Sequence, residues 1–264
     1  PGSTTPASPA EPADERRGRR HVDAQRRPAA PSSGSASVVT MRDPAQRTFW
    51  PWTGVVYWLL LVDAAILVAC APTVVLVPWL VADASNIPLL ALLLVPVGPA
   101  VAAAVFAWDR RRADPDHSPL RQYARGYRLN LGDALRVWLP VLALLTVLGI
   151  NITHSGAVRG GPVLGAVSLV LALLVTLWAG HALVITALFN FRWRDTARLA
   201  AYHLGASWRT TLSVLSLLVV TVGAILVAEW LLLFLAAPLT FFLHSGAAPM
   251  SSDVKTRFTT SEDP

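Results

Sequence analysis

The chain has 264 residues, is 54% hydrophobic and only 14% charged, and carries a formal charge of +6 from 22 Lys+Arg against 16 Asp+Glu. Soluble domains carry about 25% charged residues, and here the deficit is concentrated. Between Val55 and Trp108 the only charges are Asp63 and Asp83, and between Val137 and Phe191 the only one is Arg159. The basic residues flank apolar runs, which argues for a membrane rather than nucleic acid as their partner, and the single cysteine, Cys70, excludes an intramolecular disulfide and a Cys-rich metal cluster.

Residues 1–47 are rich in Pro, Ala, Ser and Arg, as in PGSTTPASPAEPADERRGRR. They have almost no large apolar side chain to bury, so they are expected to form a disordered cytoplasmic tail. They also lack the apolar core of a secretory signal. Met41 leaves two readings open: a start that makes MRDPAQRTFW a short leader, or a residue inside a real tail.

A transmembrane domain is expected over 48–246, followed by a flexible C-terminal tail over 247–264. Helices cross the hydrocarbon in about 20 residues, and five apolar segments are long enough or nearly so. Span 1 is Val55–Leu80, with Pro72 and Pro78 near its end. Span 2 is Ile87–Trp108, interrupted by VPVGP at Val95–Pro99. Span 3 is Val137–Asn151, span 4 Pro162–Leu188 and span 5 Leu212–Leu243. A helix over the last would be about 48 Å long against about 30 Å of hydrocarbon. It therefore tilts, breaks near Pro238, or folds as two short spans. The fold class is thus an all-α polytopic membrane bundle of five helices, six if the last segment divides, with two cytoplasmic amphipathic helices.

Arginines set the expected orientation. Arg110, Arg111, Arg112, Arg121, Arg125, Arg128 and Arg136 lie between spans 2 and 3, and Arg192, Arg194, Arg198 and Arg209 between spans 4 and 5. The alternate loops hold only Arg159. By the positive-inside rule the N-terminus and both Arg-rich loops are cytoplasmic. Trp50, Trp52, Trp79, Trp108, Trp138, Trp193 and Trp208 fall at span ends, where an aromatic belt is expected.

Both Arg-rich loops read as amphipathic helices leading into a span. In the first, Leu120, Tyr123, Tyr127, Leu131, Leu135 and Trp138 recur at steps of three or four, and Arg121, Arg125, Arg128, Gly132 and Arg136 form a second stripe. Such a pattern suits a helix on a surface. The second loop repeats the first at an offset of 73 residues, pairing Arg121 with Arg194, Arg125 with Arg198, Gly132 with Gly205 and Arg136 with Arg209. A duplicated unit pointing the same way in both copies is inferred. Two uses fit these helices: arginines that snorkel to headgroups, or a docking surface for a cytoplasmic partner. Importer permeases of the ATP-binding cassette class carry a cytoplasmic helix of pattern EAA-x3-G-x9-I-x-LP that contacts the ATPase. Leu199-Ala200-Ala201, Gly205, Leu215 and Leu217 keep its spacing, with Leu199 in place of the Glu and Leu218 in place of the Pro.

The order of features from Phe49 to Phe258 resembles the YesL-like family, a bacterial domain-of-unknown-function family of small multi-pass proteins. The likeness rests on a first span ending in Pro72, on VPVGPAVAAAVFAWDRR, on YARGYRLNLGDALRVW, on ALFNFRWRDTARLAAYHLGASWRTTL and on the C-terminal DVKTRFT. An Asn is usual in the family's first span, where this chain has Asp63. The resemblance implies a bacterial cytoplasmic membrane protein associated with carbohydrate uptake, with sugar-transporter subunits as partners at the cytoplasmic face. It carries over no catalytic residue.

Two acids, Asp63 and Glu229, fall within predicted spans. Intramembrane acids default to functional hypotheses, here ion or proton coupling or contact with a polar substrate. Otherwise each pairs with a buried donor or borders a polar cavity. His181, in span 4, is more often an inter-helix hydrogen-bond partner than a ligand. No HExxH, GxSxG elbow or P-loop occurs. No cofactor and no enzymatic activity are expected. A self-contained carrier, or a divergent importer permease using Glu229 and Asp63, is the alternative to an accessory component. Gly98, Gly149, Gly165 and Gly180 read as positions where helices approach closely.

Overall fold

The computed structural model describes Gly2, 44–81, 83–113, 117–157, 159–189 and 191–258; the side chains of 44–53, 229 and 255–258 lie outside the described set. The chain divides into two units, Pro1–Arg47 and Thr48–Pro264, and the helices that follow belong to the second, apart from residues 44–47 at the start of the first helix. The expected N-terminal tail, Met41 included, falls almost wholly outside the described residues. Among the described residues the fold is all helical, without a strand.

Helix α1 runs Pro44–Ala69 and α2 Ala71–Leu76, continued by a 3-10 turn at Val77–Trp79. Helices α3, Ile87–Leu93, and α4, Val97–Ala113, form one interrupted span. Then come α5, Pro119–Thr153, α6, Gly161–Leu188, α7, Trp193–Ala206, and α8, Trp208–Val227. A 3-10 turn at Glu229–Leu231 leads to α9, Leu232–Gly246, and α10, Ala248–Phe258. Four of these elements are long and apolar enough to cross a membrane, or up to six if each of two bent pairs counts as one span. Much of the apolar surface faces outward. In α6, Val163, Leu164, Val167, Leu169, Val170, Leu171, Leu173 and Leu174 are all exposed, as expected of a helix that is apolar all round and faces lipid.

The breaks follow local chemistry where the sequence supplies it. The axis of span 1 bends by 72° between Ala69 and Ala71, so the expected single helix to Leu80 is two pieces. Pro72 has no N–H to offer the Val68 carbonyl and its ring clashes there, but it is tolerated in the first turn of α2. The Thr73 hydroxyl then donates to the Leu93 carbonyl, tying α2 to α3. At the turn 94–96 the Trp138 indole donates to the Leu94 carbonyl at 2.9 Å, so a neighbouring helix satisfies the interrupted backbone. Ahead of α3, Asp83 caps a 3-10 turn by accepting from the Ser85 amide, and the Ser85 hydroxyl and amide hold its carboxyl below the usual range.

The last apolar segment is two antiparallel helices. Ala228 is extended and Glu229–Leu231 turns the chain, while Pro238 lies inside α9 without ending it. No Pro or Gly marks Ala228; pairing of α8 with α9 is what defines the turn. A Cβ built on Gly246 would stand 1.9 Å from the Ser213 Oγ, so the two helices touch at the end opposite the turn.

Two clusters form the core. One joins Trp58, Val62, Ile66 and Cys70 of the first segment to Ala100, Ala103, Ala104, Ala107 and Trp108 of α4, with Tyr123 and Ala237. The other joins Ala102 and Val105 to Ala134, Val137, the 182–185 stretch of α6, Ala200, Ala247 and Met250. The expected flexible tail over 247–264 is therefore helical to Phe258, because Met250 and Val254 are fully buried and anchor it; 259–264 lie outside the described residues.

Candidate functional site

Both Arg-rich segments lie at the same end of the bundle. Phe106 of α4 meets Gly126 of α5, where a Cβ would approach Phe106 to 2.7 Å, and the Trp178 indole of α6 donates to the Ala197 carbonyl of α7 at 3.2 Å. The three arginines ending α4 join them. Arg110 stacks on Phe106 and Arg111 lies over both Trp58 and Trp108, while Arg112 reaches Ser245 of α9 at 3.5 Å.

Every candidate surface position is exposed: Arg121, Arg125, Gly132 and Arg136 on α5, Arg194, Arg198 and Gly205 on α7, and Arg209 at the start of α8. A Cβ on Gly132 or Gly205 would meet nothing within 4 Å, so neither glycine serves close packing. Arg136 pairs with Asp133 at 2.6 Å, an exposed contact that contributes little. Arg194 and Arg209 stack on Trp193 and Trp208. A cleft of about 430 Å³ opens on α7, lined by Phe191, Asp195, Arg198, Leu199 and Tyr202. It combines both charge signs with aromatic and aliphatic walls.

Burial follows the same 73-residue register. Tyr123 and Thr196, Val137 and Thr210, and Val141 and Val214 are all buried at matching positions. The inward stripe of α5 differs from the expected one: Leu120 and Leu131 are exposed, while Gln122, Gly126 and Ala134 are buried. The two copies also differ in shape. In the first, amphipathic stretch and span form one continuous 35-residue helix, about 52 Å long. In the second they separate at Ser207. There His203 Nδ1 meets the Ser207 hydroxyl at 2.8 Å and Thr211 donates to the Leu204 carbonyl at 2.9 Å. The Thr211 hydroxyl thus takes up a carbonyl at the break while the Ser207 amide and carbonyl keep their backbone partners; Trp138 and Ala134, at the matching positions in α5, carry no hydroxyl.

The predicted intramembrane groups do not converge. Asp63 is buried and its Oδ1 accepts from the Ala237 amide of α9 at 2.8 Å. His181 is fully buried; Nδ1 donates to the Leu177 carbonyl at 2.9 Å, and Nε2 lies 3.3 Å from Thr211 Oγ1, against α8. Glu229 sits in the turn between α8 and α9, not in mid-helix, and its side chain lies outside the described set. Among the described residues no three His, Cys, Asp or Glu come together in a metal-binding group.

Sequence reasoning passed over other contacts. Trp108 is buried, not a belt residue, and donates to Thr240 at 3.2 Å; Trp79, Trp193 and Trp208 are exposed as a belt requires. Gly98, Gly149, Gly165 and Gly180 each meet a neighbouring side chain. Gly126 and Gly246 do too, but they fall where the sequence reads as amphipathic loop and span end. No family model, no curated protein and no solved structure matches the chain.

Proposed function

We propose that this chain is a six-pass protein of the bacterial cytoplasmic membrane, with both termini inside, that acts without catalysis as an accessory to carbohydrate uptake. Its proposed working surface is the cytoplasmic face of α5 and α7, and its partner a transporter subunit or ATPase. One observation carries this reading: the two arginine stripes and the α7 cleft lie at one end of the bundle with their side chains exposed. The YesL-like order of features supplies the link to sugar uptake. The α8–α9 hairpin supports six crossings, since α9 returns to the end from which α8 departs.

The carrier alternative has less support. The carboxylate of Asp63 is engaged by a backbone amide, and Glu229 stands at a helix turn.

Two experiments test the proposal. The tagged chain, purified in mild detergent, is expected to bring down a sugar-transporter subunit or its ATPase, and Arg194→Glu with Arg198→Glu is expected to weaken capture by about tenfold, or about 1.4 kcal/mol. Absence of any such subunit from the wild-type eluate would end the docking reading. Separately, alkaline phosphatase fused after Phe258 is expected to be inactive, and active when inserted after Glu229. Activity at the C-terminal fusion would return the count to five.

A further inference from the structure

The α8–α9 hairpin encloses a lateral groove of about 460 Å³, lined by side chains of both helices. Its chemistry is graded along the helix axes. Ser213, Ser216 and Ser245 gather at the basic end, where Gly246 meets Ser213. Leu217, Val220, Leu235, Leu239 and Phe242 extend toward the turn, and Val220 and Phe242 are exposed on the outer face. Arg112 stands at the polar mouth, with Nη2 3.5 Å from the Ser245 hydroxyl. Among the described residues no carboxylate pairs with Arg112, none lines the groove, and no protein group takes up the Ser213 and Ser216 hydroxyls.

We infer that this groove holds one anionic phospholipid, with its phosphate on Arg112 and the serines and one acyl chain along the leucines. A guanidinium binds phosphate oxygens in a planar fork, and the hydroxyls can donate to the same group. Arg110 and Arg111 are held against aromatic rings, so Arg112 is the member of the triplet directed across to α9. From 235 to 246, α9 covers about 16 Å, close to one leaflet of a hydrocarbon core about 30 Å thick. A soluble phosphate would fill only the mouth and leave the apolar length without an occupant. A zwitterionic headgroup would bring an ammonium to a mouth that, among the described residues, offers it no carboxylate. The inference rests on α8 and α9 lying in the bilayer, but not on any cytoplasmic partner.

The test uses the full chain in phosphatidylcholine nanodiscs doped with a photoactivatable phosphatidylglycerol or, in parallel, the matching phosphatidylcholine probe. Cross-links from phosphatidylglycerol are expected to concentrate on α8 and α9 peptides, exceeding those from phosphatidylcholine by about tenfold, or about 1.4 kcal/mol. Arg112→Gln should erase that preference, and Val220→Trp should fill the groove and abolish the labelling. Both positions are exposed, so neither change should unfold the chain, which gel filtration would verify. Equal labelling by the two probes, or labelling that survives Val220→Trp, overturns the site. Loss of labelling on adding millimolar glycerol phosphate would instead identify a soluble phosphate ligand and overturn the lipid assignment. Absence of labelling on α5 and α6 as well would fault the membrane placement itself.

Discussion

Replacing Gly98 with leucine is expected to destabilise the protein more than any other single change considered, by about 1–3 kcal/mol or more, as overpacking in a filled interior does. A Cβ at that position would already lie 2.4 Å from Trp138 Cγ and 2.6 Å from Cδ1. The indole has little freedom to retreat, because its N–H is committed to the Leu94 carbonyl at the break between α3 and α4. Displacing it therefore costs a packing contact and a hydrogen bond inside the apolar layer. Thermal unfolding in detergent, followed by Trp fluorescence, measures the loss; a domain of similar size shifts by about 2–4 °C per kcal/mol. Gly132→Ala is the opposed control. Its Cβ meets nothing and a mid-helix glycine gives up conformational freedom, so the substitution should stabilise by about 0.5–1 kcal/mol. A Gly98 variant as stable as the wild type would mean that α4 and α5 do not pack as described.

Asp63 yields the second large effect and separates a structural acid from a transporting one. Its carboxylate takes up the Ala237 amide beside Pro238, in a part of α9 that the bundle buries. Asp63→Ala removes the side-chain acceptor of this buried hydrogen bond, a loss of about 1–3 kcal/mol. Asp63→Asn keeps an oxygen at the same place and should retain most of the stability. If the acid coupled protons to flux, the order of severity would differ: the Asn variant would fold normally yet lose proton-linked uptake in proteoliposomes. Here Asn is expected to behave nearly as the wild type in every assay, and an inactive, well-folded Asn variant would restore the carrier reading.

Several features were legible in the residues because they depend on local spacing and polarity. Long uncharged apolar runs announced the helices, VPVGP announced the interruption before α4, and the 73-residue match of Arg121, Arg125 and Arg136 with Arg194, Arg198 and Arg209 announced two related segments with the same faces turned outward. The glycines at 98, 149, 165 and 180 were legible as contact points because small residues in apolar helices have few other uses.

What the sequence by itself determined was the helical, apolar character of the described residues and the exposure of the two arginine stripes on α5 and α7, since these follow from composition and the 3.6-residue period. Tertiary structure alone decided where helices stop and what polar groups do. Ala228 carries no breaker, yet the chain turns there, because the antiparallel pairing of α8 and α9 defines the turn between them. Ser207 breaks one copy of the repeat and Ala134 leaves the other continuous, a difference that rests on hydroxyl hydrogen bonds made across a helix junction. Met250 and Val254 turn an apparent tail into a packed helix. The role of Asp63 depends on an amide 174 residues away, and no local pattern could have named that partner.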